Sequence, residues 1–182
     1  MLSPRRIAAR AARALASPLV PSDYLDLISP LRSGADLRGR VLARTPETAA
    51  AATLTIRPGR DWQGHRAGQY VRLGVDVGGV RHWRPYSLTS AATPGADTIT
   101  ITVKEVADGL VSGHLVRAIR PGTLIALDQA SGDFTLPPEV PARILFLTAG
   151  SGITPVIGML RTHELADAVV LHSAPRPADV IF

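Results

Sequence analysis

Apolar and polar residues alternate along the middle of the chain, and this pattern predicts a series of short β-strands. In one of them Ile99, Ile101 and Val103 alternate with threonines, as expected for a strand with one buried face. A Val-Gly-Gly turn at 77–79 joins two neighbouring runs and predicts a hairpin. The predicted strands are Leu37–Arg44, Ala52–Arg57, Gly68–Asp76, Val80–Leu88, Thr98–Val106 and Leu124–Asp128.

One stretch of helical spacing, Gly109–Ile119, interrupts these strands. Six short strands with one helix predict a six-stranded antiparallel barrel whose mouth the helix partly plugs. After a proline-rich linker the pattern changes, because Arg143–Thr148 is an unbroken apolar run, typical of a strand buried on both faces of a parallel sheet. A helix over Pro155–His163 and a strand over Ala168–Leu171 complete a βαβ unit.

These patterns divide the chain into three predicted parts. They are a helical arm over residues 1–36, a barrel domain over 37–138, and the first βαβ part of a parallel-sheet domain over 139–182. Two parallel strands and one helix cannot bury their own faces. We therefore expect the chain to be truncated relative to its parent protein.

The arm begins with a segment that is rich in arginine and alanine. Residues 5–16 read RRIAARAARALA and place arginines on one face of a helix and Ile7, Ala11 and Leu15 on another. Three interpretations stay open: a solvated helix packed on the body, a helix lying on an anionic membrane surface, or an organelle transit peptide. A second helical patch follows over residues 24–31.

Composition excludes several classes of function. The chain has no cysteine, which excludes a disulfide framework, a thiol nucleophile and a cysteine-held iron–sulfur cluster within these 182 residues. The net charge of +5 comes mainly from the arm, so we expect no nucleic-acid binding by the nearly neutral body. The five histidines show no ligand spacing, and no metal site is predicted. We expect a cytoplasmic protein, peripheral at the inner membrane surface if the arm docks there.

Three segments carry candidate chemistry. The strand end RPYSLT, residues 84–89, offers a cation that can grip phosphate and a ring that can stack, which suits a nucleotide cofactor; the alternative is an exposed cation–π pair. Gly109 precedes a helix whose first N–H groups favour an anion, and Ser112 either adds a hydroxyl contact or caps the helix.

The third segment, GSGITP at residues 150–155, lies between a buried strand and a helix, where a dinucleotide phosphate should bind. Thr154 is predicted as the N-cap and Pro155 as the first helical residue. Because Pro155 stands where the third glycine of G-x-G-x-x-G belongs, the ordinary dehydrogenase fingerprint fails.

Together these segments resemble the ferredoxin–NAD(P)H reductase superfamily, whose members join a flavin-binding barrel to a nicotinamide-binding α/β domain. The family's R-x-Y-S-x-[TS], G-x-x-S and G-x-G-[IV]-[ST]-P motifs occur here in the same order. Gly68-Gln69-Tyr70 and Gly132-Asp133-Phe134 match two further family motifs. Within the superfamily the chain looks most like the reductases that supply oxygenases and membrane fatty-acid desaturases.

The resemblance implies a role for each motif. Arg84 would pair with the flavin pyrophosphate, with Pro85 beside it, Tyr86 would pack on the isoalloxazine ring, and Ser87 would lie near the atom that receives hydride. Thr154 would lie near the flavin and nicotinamide rings, and Ser87 and Thr154 are the expected catalytic residues. The remaining residues expected to hold or border the two cofactors are Val103, Lys104, Gly109, Leu110, Val111, Ser112, Gly150, Ser151 and Gly152.

The expected function is electron transfer from NAD(P)H through a flavin, with FAD favoured over FMN, to a ferredoxin-type iron–sulfur acceptor. A [2Fe–2S] cluster would lie on a partner or a missing C-terminal domain. Ser173 and Arg176 follow the second parallel strand where NAD enzymes place an acid, which favours NADPH over NADH. Two alternatives stay open: a flavin-binding relay or regulatory subunit that does not oxidise NAD(P)H, and an inactive fragment.

Overall fold

The structure is a computed structural model that describes residues 21–182, with side chains described from residue 23. The predicted helix over residues 5–16 lies outside the described residues. Strands are β1 Arg38–Thr48, β2 Ala51–Pro58, β3 Tyr70–Val77, β4 Val80–Ser87, β5 Ile99–Lys104, β6 Leu124–Leu127, β7 Ile144–Ala149 and β8 Ala168–Ser173. Helices are α1 Pro21–Ile28, α2 Leu110–Gly113, which continues as a π-helix over His114–Ala118, and α3 Ile153–Thr162.

The first six strands form one antiparallel sheet in the order β4-β3-β6-β1-β2-β5. The two outer strands meet just past the end of β4, where Leu88 bridges to Ile101 and the Thr89 amide donates to the Thr100 carbonyl at 2.8 Å. The sheet is thereby closed into a barrel at one point, as predicted. Along β4 itself only the edge that faces β3 is paired within the described sheet.

The alternating residues of the strands fill the barrel, and the helical segment after β5 closes its end. Ile99, Ile101 and Val103 are buried in the same cluster as Leu115 and Ile119. The predicted single helix over 109–119 is instead one α-turn followed by a π-helix. Arg44 donates to the Val116 carbonyl at 2.9 Å, which is one of the last carbonyls of this segment and has no amide partner within it.

The C-terminal part has two parallel strands, β7 and β8, and helix α3 on one face of them. Phe146 on the covered face packs with Val156 and Met159 of α3. The opposite face is open in the described structure: Leu147 is 71% exposed, and its neighbours Leu145, Val169 and Leu171 are exposed too. The prediction that β7 is buried on both faces is therefore wrong for the described residues, since helix α3 covers one face only. The described residues contain no helix long and apolar enough to cross a bilayer.

Helix α3 lies directly against the end of β4. A Cβ atom at Gly158 would stand 2.5 Å from the Leu88 carbonyl oxygen, so only glycine allows this approach. Arg161, one turn further along, donates to the Thr89 carbonyl at 2.9 Å, and Thr162 accepts from the Ala92 amide at 2.9 Å. These contacts hold the second half of α3 beside the segment that follows β4.

We expect Gly158→Ala to destabilise the fold by about 1–3 kcal/mol, because the added methyl forces α3 away from Leu88. A loss of stability would be informative, because replacing glycine by alanine inside a helix normally stabilises it. Chemical denaturation followed by circular dichroism would measure the change. Gly152→Ala is the matched control, because a Cβ there meets nothing within 4 Å and its φ is −63°. Equal stability of the two variants would contradict the proposed tight contact.

Candidate functional site

A cavity of ≈ 530 Å³ opens where the end of β4, the end of β5, the loop into α2 and the start of α3 meet. Both parts of the chain contribute to its wall. The lining residues are Arg84, Pro85, Tyr86, Ser87, Thr102, Lys104, Val106, Gly109, Leu110, Val111, Ser112, Ser151, Gly152, Thr154 and Pro155.

Most of the residues singled out in the sequence line this cavity, but four do not. Val103 is 1% exposed in the barrel core, because strand alternation turns it away from the side that carries Thr102 and Lys104. Gly150 stands at the turn before the cavity, with φ +52°. Ser173 is the last residue of β8 and Arg176 follows that strand, and neither lines the cavity. The site residues predicted from the sequence omit three that line the cavity: Thr102, Val106 and Pro155. Alternation along β5 indicates Thr102, because it places Thr102 on the same side of the strand as Lys104.

Arg84 and Pro85 stand on the unpaired edge of β4. Proline has no amide hydrogen to donate, so it belongs on such an edge. The Arg84 guanidinium donates one hydrogen bond to the Trp83 carbonyl at 2.8 Å and is otherwise exposed. Within residues 23–182 neither Arg84 nor Lys104 has a carboxylate within 4.0 Å. The cavity wall thus carries two cations that could meet an anionic ligand, and the Lys104 charge, after that of Arg176, also lowers the pKa of the Asp179 carboxyl.

Tyr86 forms an apolar part of the wall and packs against the barrel core. Burial raises the pKa of the Tyr86 phenol to about 12, and the nearby Arg84 charge opposes that shift. The phenol is therefore protonated at neutral pH. It presents a ring face for stacking together with one hydroxyl that can donate or accept.

The loop before α2 is tightened by Ser112. Its hydroxyl accepts from the Val106 amide at 3.1 Å and donates to the Gly109 carbonyl at 3.3 Å. A Cβ at Gly109 would meet the Ser112 hydroxyl and would stand 2.8 Å from the Val106 carbonyl oxygen. Of the two predicted uses of Ser112, the N-cap is wrong, since α2 begins without a side-chain cap. The hydroxyl fixes the loop, and Gly109 keeps the backbone close to the cavity.

The start of α3 differs from its prediction. A 3₁₀ turn over Gly150–Gly152 leads directly into the helix at Ile153, and Gly152 is the N-cap. Thr154 is therefore inside the first turn, where its hydroxyl donates to the Ser151 carbonyl at 2.8 Å, and its predicted role as N-cap is wrong. Pro155, predicted as the first helical residue, is the third, where its missing amide hydrogen is equally harmless.

Arg176 forms an ion pair with a neighbour in sequence. Its guanidinium makes two hydrogen bonds with Asp179, at 2.9 and 3.1 Å. The hydrogen bond from Arg176 lowers the pKa of the Asp179 carboxyl. The C-terminal ends of β7 and β8 carry polar side chains beside this segment. The hydroxyl of Thr148 on β7 lies 2.8 Å from Nδ1 of His172 on β8. Any phosphate at Arg176 would have to share the guanidinium with Asp179.

Comparison with known proteins gives the class of the chain. A family model described as "Oxidoreductase FAD-binding domain" matches residues 47–136. The chain is 49% identical over 185 residues to an NADPH oxidoreductase of Mycobacterium tuberculosis, covering 98% of this chain and 48% of the relative. It is 35% identical over 143 residues to NADH oxidoreductase HCR of Escherichia coli, covering 76% and 43%.

A solved structure shows the same fold. A ferredoxin NADP⁺ reductase from Neisseria gonorrhoeae with bound FAD and NADP matches with a TM-score of 0.68 and 28% identity, over 80% of this chain and 61% of that chain. The barrel, its cap and the following βα unit correspond to this class. The chain belongs to the ferredoxin–NAD(P)H reductase superfamily. It spans about half the length of the curated relatives it matches.

If Arg84 pairs with the flavin pyrophosphate, as the sequence resemblance implies, Arg84→Ala should weaken FAD binding about ten- to a hundredfold, because that charge-assisted contact would be lost. Quenching of flavin fluorescence on titration with the protein would give the dissociation constant. Arg81→Ala is the control: Arg81 lies on the same strand, is exposed and pairs with Asp76 rather than lining the cavity. FAD affinity that is the same in both variants would remove Arg84 from the site.

Proposed function

We propose that this chain is the flavin-binding part of an NAD(P)H-dependent oxidoreductase that holds FAD in the cavity between the barrel and α3. The observation that carries the proposal is the meeting of three motifs in one cavity. Residues 84–87, 109–112 and the three residues 151, 152 and 154 are separate in sequence, yet all line the same cavity. Membership of the FAD-binding family supports the same cofactor.

The residues present fit a flavin nucleotide. Arg84 and Lys104 supply positive charge for phosphate, and the Gly109 loop brings backbone close to the cavity. Tyr86, Val106 and other apolar side chains supply surface for a ring. The matched family favours FAD over FMN. Bound flavin supplies the redox chemistry, since it can take a hydride and release electrons one at a time.

The side chains of the cavity bind and orient rather than react. Tyr86 shields the ring from water, and Ser87, at the end of the free strand edge, would offer a hydroxyl beside the reacting part of the cofactor. The hydroxyl of Thr154 is held by Ser151, so Thr154 acts by fixing the turn that faces the flavin. Ser151 and Gly152 would receive the nicotinamide nucleotide at that turn.

For the nucleotide we propose NADPH. No acid stands at the end of β8, and Ser173 and Arg176 would meet the 2′-phosphate, with Arg176 leaving or sharing Asp179. The name of the Mycobacterium tuberculosis relative, NADPH oxidoreductase, supports this choice. Because the chain has no cysteine, we place the iron–sulfur acceptor on a partner or a further domain, serving an oxygenase or a desaturase.

One spectrum tests the proposal. We expect the purified chain, incubated with FAD and freed of excess, to show flavin absorbance between about 350 and 550 nm. Bleaching of those bands by NADPH under argon would show that these residues also position nicotinamide. Bands that persist would favour the second candidate, a flavin-binding relay that does not oxidise NADPH. A folded chain that retains no flavin would overturn the proposal.

We also propose peripheral contact with an anionic membrane through the N-terminal region. Helix α1 is attached by its polar side, since Asp26 pairs with Arg32 at 2.7 Å. Its apolar side points outward, with Leu27 76% and Ile28 83% exposed. The preceding segment is free of acids and carries four arginines, although it lies outside the described residues. Apolar side chains beside clustered arginines are the combination that anionic lipid surfaces bind.

We expect Leu27→Asp combined with Ile28→Asp to reduce sedimentation of the chain with phosphatidylglycerol vesicles about tenfold or more, because two apolar contacts are replaced by charges that anionic lipid repels. Val80→Asp is the control, as Val80 is a 57% exposed residue at the start of β4. Equal sedimentation of the two variants, or of the wild type with neutral vesicles, would contradict the membrane proposal.

A further inference from the structure

A chain of hydroxyl groups leads from the flavin cavity to a carboxylate on the barrel wall. Thr102 lines the cavity and is buried, and its Oγ1 lies 2.7 Å from Thr53 Oγ1 on the neighbouring strand β2. Thr53 Oγ1 lies 2.6 Å from a carboxylate oxygen of Glu47 on β1. Thr53 and Thr102 are direct cross-strand partners in the β2–β5 register.

The hydrogen bonds in this row of hydroxyl groups have a fixed donor-to-acceptor direction. A carboxylate can only accept hydrogen bonds, so the Thr53 hydroxyl donates its single proton to Glu47. Thr53 must then accept from Thr102, which donates its own proton away from the cavity. What Thr102 Oγ1 can offer a ligand is therefore a lone pair. Thr89, at 3.4 Å, competes weakly for it, because Thr89 lies closer to Thr100, at 2.8 Å.

We propose that Glu47 and Thr53 are positioning residues that hold the Thr102 hydroxyl as a hydrogen-bond acceptor in the flavin cavity. The cavity then favours a nucleotide that presents an N–H group to Thr102 and disfavours one that presents a bare acceptor. This inference rests on the proposed flavin site. It adds to that site a hydrogen-bond acceptor of fixed orientation. None of the three sequence motifs supplies this feature, since Glu47 and Thr53 lie outside all of them.

Burial explains why the direction persists. Thr102 is 4% exposed, so water has little access to replace Thr53 as its partner. A buried hydroxyl without a partner is unfavourable, and each member of the chain therefore keeps its neighbour in place. Without the Thr53 hydroxyl, the Thr102 proton would be free to turn toward Thr89 or into the cavity.

The experiment is a double-mutant cycle on FAD affinity. We expect Thr53→Val and Thr102→Val each to weaken FAD binding about three- to tenfold, read by quenching of flavin fluorescence. The double variant should bind FAD as the Thr102→Val variant does, because Thr53 acts only through Thr102. Additive losses would overturn the proposal, since a merely structural effect of Thr53 does not depend on the Thr102 hydroxyl.

Three controls keep the result specific. Thr55→Val removes a hydroxyl two residues away on the same strand, opposite Thr100, and should leave FAD affinity within about twofold. Thr53→Ser keeps the hydroxyl and should bind as the wild type does. Glu47→Leu, at a partly exposed position, removes the acceptor of the Thr53 proton and should weaken FAD binding even if Thr53→Val fails to fold.

The outcomes separate this inference from the proposed function. A folded wild-type chain that binds no FAD contradicts the flavin site itself. FAD binding by the wild type that is unchanged in Thr102→Val, or equal in Thr53→Val and Thr55→Val, leaves the flavin site standing and overturns the hydroxyl chain. Thermal unfolding of the flavin-free variants shows whether a loss of affinity comes with a loss of fold.

Discussion

The contact between α3 and the end of β4 decides how the rest of the site is arranged. Gly158 brings the helix backbone within van der Waals range of Leu88, and Arg161 and Thr162 bond to the segment that follows. Leu88 also closes the barrel through its bridge to Ile101. One short stretch of chain therefore supports both the barrel seam and the helix whose first turn faces the cavity.

The second constraint is the free edge of β4. Strand β4 contacts strand β5 only beyond Ser87, through the bridge from Leu88 to Ile101. The residues of β4 are therefore hydrogen-bonded to a neighbouring strand on the β3 side alone. Pro85 suits that edge because it has no amide hydrogen, and Arg84 extends from it without a carboxylate partner among the described residues. The free N–H and C=O groups of an unpaired strand edge can pair with another strand. Here the edge of β4 instead forms one wall of a cavity that suits a nucleotide.

The polar groups of the cavity divide by their function in the structure. Ser112 and Thr154 use their hydroxyls to fix the loop and the turn, and Thr102 is directed by neighbours on two other strands. Arg84 and Lys104 keep their charge available for a ligand. The site thus combines hydroxyls that hold backbone in place with cations that remain free, which is the arrangement expected for binding a large anionic cofactor.

The six strands, the barrel and the motifs at 84–87, 109–112 and 151–154 were predictable from the amino-acid sequence, because alternation, glycine placement and motif order are local properties. It misplaced Val103 and the Thr154 cap, which depend on the side of a strand and the first residue of a helix. Only the tertiary structure joined Glu47, Thr53 and Thr102, because cross-strand register brings together residues that no local pattern relates. It also decided that one face of β7 and β8 is open, since burial depends on what packs against a strand.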